Sequence, residues 1–92
     1  IETPNGNTAV LNDDEGSILL EDENGNKVML DSNGIMLESA SDLVLKASGD
    51  VTIEGTNTEI SASASFKAEG NSGAEVSTSG QAVLKGSFVQ IN

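Results

Sequence analysis

Two runs of carboxylates are the residues best placed to do chemistry in this 92-residue sequence: Asp13-Asp14-Glu15 and Glu21-Asp22-Glu23. Dense hard oxygen ligands suit calcium. Neither run has the spacing of an EF-hand loop, however, and no Gly-Gly-x-Gly-x-Asp nonapeptide occurs. Paired carboxylates also serve glycoside cleavage, but the chain has no tryptophan or tyrosine to act as a sugar platform. Without cysteine or histidine there is no zinc, haem or iron–sulfur ligation, no thiol or serine–histidine nucleophile and no imidazole base. Gly70, Gly73 and Gly80 fit no phosphate-binding loop. The expectation is a protein with no catalytic residue, no metal site and no cofactor, its acid runs forming a solvated surface.

Charge narrows the partners. Fifteen acids against four lysines give a net charge of -11, which nucleic-acid phosphates and anionic membrane surfaces would both repel. No disulfide can form, and no apolar run approaches the roughly 18 residues of a membrane span. The chain begins at Ile1 rather than Met, so a fragment of something longer is expected. Phe66 and Phe88 are its only aromatics, and a single unit of this length buries a thin core. Low hydrophobicity with high charge would by itself suggest disorder; the order of the residues argues otherwise.

Apolar residues recur in pairs two apart, the strand period that puts both on one face. The pairs are Ala9/Leu11, Ile18/Leu20, Val28/Leu30, Ile35/Leu37, Leu43/Leu45, Val51/Ile53, Thr58/Ile60, Phe66/Ala68, Ala74/Val76, Ala82/Leu84 and Val89/Ile91. From Val28 the pairs step by 7 or 8 residues, after earlier steps of 9 and 10. Only Thr58 in the series is not apolar, and no charge falls on it. A small residue then follows on the same face in several units: Ala47, Gly55, Ala62, Gly70 and Gly86. Turn formers come next, as Ser48-Gly49-Asp50, Thr56-Asn57, Asn71-Ser72-Gly73 and Ser79-Gly80-Gln81. Each octad therefore reads as a strand of about five residues and a corner of about three.

An antiparallel meander is one way to use such units, and Asn24-Gly25 and Asn33-Gly34 are hairpin signals. The inward set shrinks to Ala68, Ala74 and Ala82 in the second half, too small for a two-layer sandwich. A narrow triangular prism suits it better, made by one chain or by three. Lys27, Lys46, Lys67 and Lys85 alternate out of the inward register and should face carboxylates of neighbouring strands. Val10, Leu19, Met29, Met36 and Val44 are apolar on the outward side of early units, marking either a second layer or a contact with the rest of an assembly.

The octads Leu43–Asp50 and Val51–Gly55, with Phe66-Lys67-Ala68-Glu69-Gly70 and the closing Leu84–Asn92, resemble the spike shaft of contractile injection machines: the C-terminal part of VgrG, spike of type VI secretion, and the related central spike of contractile phage tails. The resemblance runs from about Gly16 to Asn92. It implies an all-β fold, an intertwined homotrimeric parallel β-helix in the form of a triangular prism. Residues 28–92 would be the octad-repeat needle, and residues 1–27 an irregular β segment leading into it. Eleven strands stacked on each face would make a shaft roughly 50 Å long. The trimer core would be Val28, Leu30, Ile35, Leu37, Leu43, Leu45, Val51, Ile53, Ile60, Phe66, Val76 and Leu84. The uncharged end, Phe88, Val89, Gln90, Ile91 and Asn92, would dock a PAAR-repeat tip protein. A His-x-His iron apex, present in some phage spikes, cannot be built without histidine.

Function follows from the resemblance as a non-enzymatic needle that pierces membranes with only transient contact. It would reside in the bacterial cytoplasm before firing and then be secreted or injected, or belong to a virion tail if phage-derived. The other readings are a trimeric adhesin or tail-fibre stalk, and a calcium-binding β-solenoid module.

Overall fold

Residues of high strand propensity, broken by Asn-Gly and acid-rich turns, fill the first forty positions, and there the chain builds a regular sheet. The computed structural model describes residues 1–92. Its strands are β1 (Thr8–Asn12), β2 (Ser17–Glu21), β3 (Lys27–Asp31) and β4 (Gly34–Glu38), in the order β1-β2-β3-β4. Every neighbouring pair is antiparallel. The chain divides into two units, Ile1–Ile53 and Glu54–Asn92.

Register sorts the two faces of the sheet. Ala9 opposes Leu20, which opposes Val28, which opposes Leu37; likewise Leu11, Ile18, Leu30 and Ile35 form a second row. These eight residues are the first four pairs of the period-two series, and they share one face. On the other face Val10, Leu19, Met29 and Met36 line up in a single row across all four strands. Beside that row Lys27 Nζ lies 3.4 Å from Glu38 Oε2 and 3.8 Å from Glu21 Oε2, the cross-strand pairing expected of this lysine.

Turns at one end of the sheet repeat. Gly6 N–H donates to the Thr3 carbonyl at 3.0 Å, and Gly25 N–H to the Asp22 carbonyl at 3.4 Å. Both glycines have φ of 94°, a left-handed conformation that side chains resist. Each turn is followed by an asparagine whose Oδ1 accepts a backbone N–H from a later segment: Asn7 from Glu23 at 3.0 Å, and Asn26 from Ala40 at 2.8 Å. The corners therefore stack, each tied to the next by an asparagine.

Residues 1–27, expected as a β segment outside the regular octad spacing, hold β1, β2 and defined turns. Val28/Leu30 and Ile35/Leu37, expected at the start of a parallel shaft, instead pair antiparallel within one chain. The cause is local: Asp31 pairs with Gly34 across the two-residue loop Ser32-Asn33, and Asp31 Oδ1 accepts the Asn33 N–H at 2.8 Å. This closes the hairpin before the chain can seek a more distant partner.

Beyond Glu38 no strand pairs within the chain. The backbone instead bends at 40–41, 48–49, 56–57, 63–64, 71–72, 79–80 and 87–88, intervals of 7 or 8 residues. Ser48-Gly49, Thr56-Asn57, Asn71-Ser72 and Ser79-Gly80 are corners expected from the octads. The small residues before corners also find a reason there. A Cβ on Gly55 would come 3.3 Å from the Asn57 carbonyl oxygen, one on Gly86 3.2 Å from that of Phe88, and one on Gly70 would collide with that of Gly73.

Candidate functional site

No residue of the chain is buried. From Ile35 onward the apolar series is uncovered, Ile53 being 70% exposed and Val76 94%, while Val28 and Leu30 are half-buried. The surface amounts to 9077 Å², whereas a compact monomer of 9.4 kDa exposes about 5,000 Å². The difference of about 4,000 Å² per chain is surface available to contacts with other chains. The aliphatic part of that surface is what association would bury, at about 25 cal/mol per Å² of apolar area.

Val28, Leu30, Ile35 and Leu37 are brought together on the sheet's apolar face. That face borders an open trough of about 600 Å³, with Ala9, Leu20, Val28, Leu37 and Leu43 along it. Leu43, Leu45, Val51 and Ile53 follow in the first unit, and Ile60, Phe66, Val76 and Leu84 lie in the second, all exposed and none in a strand. One chain does not gather these eight into a core. Phe88, Val89, Gln90, Ile91 and Asn92 are exposed as well, Phe88 at 80% and Ile91 at 87%.

The acid runs have local roles. Asp13-Asp14-Glu15 caps the β1–β2 hairpin, where Gly16 N–H donates to the Asp13 carbonyl and Glu15 N–H to Asn12 Oδ1. Asp22 organises the β2–β3 turn, its Oδ1 accepting the N–H groups of Asn24 and Asn26, both at 2.9 Å, and its Oδ2 the Asn26 amide at 2.9 Å. No three carboxylates converge in a way that could hold a metal ion. Sequence reasoning singled out Asp22 and Asn24 but missed Asn26 and the turn-organising role the three share. The signal was present as a duplicate, Asn5-Gly6-Asn7 and Asn24-Gly25-Asn26, nineteen residues apart.

Hydrogen bonds to the Asn26 side chain, then to the Asn26 and Asn24 backbone, hold the Asp22 carboxyl below its ordinary value. A carboxyl that titrates lower in the folded turn than in the unfolded chain stabilises the turn at pH above the unfolded value, near 4. That contribution drains away as pH falls through the lower, folded value. Amide exchange at Asn24 and Asn26 should therefore accelerate, beyond the intrinsic pH effect, as pH drops from 5 toward 2. An Asp22→Asn chain should show no such extra step; an identical step there would remove Asp22 from the explanation.

A chain with a complete apolar register, regular corners and nothing buried is a part of an assembly, an all-β oligomerisation module. The family comparison identifies the assembly: the chain belongs to the phage baseplate V C-terminal trimerisation domain family, whose model matches residues 1–92. No curated protein is significantly similar to it. Membership agrees with the resemblance to contractile phage spikes and supports self-association as a homotrimer with a structural, phage-tail-like role.

Proposed function

We propose that three copies of this chain intertwine into the shaft of a contractile injection spike, a parallel three-stranded β-helix over the octads, with no enzymatic activity. The supporting observation is a backbone that bends every 7 or 8 residues from 40–41 to 87–88 while its whole apolar register stays uncovered. Strands separated by corners at that interval return to the same face of a prism only after three corners. The layers between would be filled by the two other chains. Their strands would supply the hydrogen-bond partners that the backbone beyond Glu38 lacks within its own chain. The inward side chains of all three would close on one dry axis.

The antiparallel meander of residues 8–38 would form the broader base of this shaft, its eight-residue apolar face turned to the axis. Stiffness is the mechanism: thrust is carried by interchain ladders and a packed axis with no long loop to absorb it. The exposed, uncharged and partly apolar residues Phe88–Asn92 would suit a PAAR-repeat tip that meets the target membrane first. The setting is a phage tail or a VgrG-type secretion spike, made in the bacterial cytoplasm and delivered on firing.

Removing Phe88–Asn92 should leave the trimer mass three-chain and abolish binding of a PAAR-repeat protein, measured at one tip per three chains for the full sequence. Undiminished binding by the shortened trimer would refute docking at this end. Failure of the full trimer to bind any such protein would favour the adhesin or fibre-stalk reading.

A further inference from the structure

The face opposite the trimer face carries a row that the shaft does not use. We propose that Val10, Leu19, Met29 and Met36 form a docking strip for a basic, apolar protein segment, a contact distinct from both the trimer axis and the tip. The proposal rests on the trimer closing on the Ala9–Leu37 face, which leaves this face outward.

Four observations carry it. First, the row is continuous, one residue from each strand in direct cross-strand register. Second, it is accessible: Val10 is 40% exposed, Met36 43%, and Leu19 and Met29 are half-buried. Third, Met29 and Met36 are the only methionines of the chain and sit directly opposite one another. Methionine is unbranched and polarisable, and adapts to partners of varied shape. Fourth, the surroundings are acidic. The one lysine beside the row, Lys27, lies between two carboxylates, Glu21 and Glu38. Asp31 flanks the other side, and Asp13-Asp14-Glu15 forms the adjacent hairpin tip.

Charge chooses the occupant. Residues 1–46 hold ten acids and two lysines, so a second trimer of the same chain would meet strong like-charge repulsion, and an anionic bilayer would meet it too. A segment alternating lysine or arginine with aliphatic side chains satisfies both features. Its apolar side chains cover the row while its cations meet Glu21, Glu38 and Asp31.

The test uses the assembled trimer and three synthetic octapeptides that alternate Lys with Leu, Lys with Ser, or Glu with Leu. Binding is measured in about 0.15 M salt, where charges farther apart than roughly 8 Å are screened. The Lys-Leu peptide should bind, the other two at least about tenfold more weakly. A Met29→Ser, Met36→Ser trimer should lose about tenfold in Lys-Leu affinity at unchanged trimer mass. Peroxide should oxidise both methionines in the folded wild-type trimer, Met36 faster than the half-buried Met29, and bound Lys-Leu peptide should slow this.

Equal binding of the Lys-Ser peptide, or an unchanged affinity in the double variant, overturns the proposal. So does protection of both methionines in the peptide-free trimer, which would show that sister chains already cover the row. Binding to neutral phosphatidylcholine vesicles that is lost in the double variant would assign the strip to lipid instead. The mass of the peptide-free sample is read separately, so a chain that fails to trimerise refutes the shaft reading without being mistaken for a failed docking strip.

Discussion

An Ile53→Asp chain should yield no trimer at all. Ile53 is 70% exposed in one chain and stands in the inward register at the middle of the sequence, as the second residue of the Val51/Ile53 pair. Threefold symmetry would bring three copies of the new carboxylate toward one axis. Each chain forfeits the burial of an isoleucine, about 1.5–3 kcal/mol. Each also places an ion in a dry setting, where the effective penalty is several kcal/mol and no partner of opposite charge is at hand. Tripled, the cost is on the order of 10 kcal/mol or more, comparable to the whole stability of an ordinary domain. Gel filtration with light scattering reads the result as loss of the three-chain species. Thr52→Asp, one residue away and in the outward register, should assemble normally. If Ile53→Asp trimerises as well as Thr52→Asp, residue 53 does not face the axis.

A second large effect is expected at a corner. Adding one methyl at Gly70 places a Cβ against the Gly73 carbonyl oxygen, a backbone atom that cannot swing aside. At Gly73 a new Cβ meets nothing within 4 Å. Gly70→Ala should therefore open the Asn71–Gly73 corner at a cost of about 1–3 kcal/mol per chain, paid three times in the trimer. Gly73→Ala should be neutral or slightly stabilising, because φ there is not left-handed and the unfolded chain loses freedom. Thermal unfolding of the two variants side by side checks this, and equal midpoints would mean that the corner is not tight. Gly55→Ala and Gly86→Ala should fall between them, since their neighbours at 3.3 and 3.2 Å need give only a few tenths of an ångström.

Much of this architecture is legible in the residues themselves. Period two puts Ala9, Leu11, Ile18, Leu20, Val28, Leu30, Ile35 and Leu37 on a common face, because strand alternation leaves no other choice. Octad spacing located the corners at 48–49, 56–57, 71–72 and 79–80 for the same reason: only Gly, Asn, Ser and Thr stood where the backbone had to bend. Strand direction was harder to read. Apolar pairs seven residues apart, such as Val28/Leu30 and Ile35/Leu37, fit a prism and a hairpin equally well. The deciding feature is two residues long, the Ser32-Asn33 loop. Local closure of that kind outweighs a regular long-range repeat.

The candidate site divided in the same way. Hydrophobic register foretold which residues would be left without cover in one chain, but a contact between copies leaves no mark on the period of one copy beyond the apolar surface itself. Asp22 and Asn26 looked like generic turn residues because their types are common in turns. Their particular role depends on which oxygen meets which amide. Asn26 holds Asp22 with one end and Ala40 with the other, and only the duplicated Asn-Gly-Asn hinted at a stacked corner. The row Val10, Leu19, Met29 and Met36 was visible as apolar outward residues. Its continuity emerged only when antiparallel pairing placed the four side by side.

Association of three chains is the premise on which the shaft, the tip contact and the outward strip all depend. Native mass spectrometry of the 92-residue chain, with circular dichroism on the same sample, addresses it most directly. The expected result is β-structured protein at three times the 9.4 kDa of one chain, with a monomer appearing only as the β signal is lost. A monomer of 9.4 kDa that keeps its β signal on dilution would contradict it.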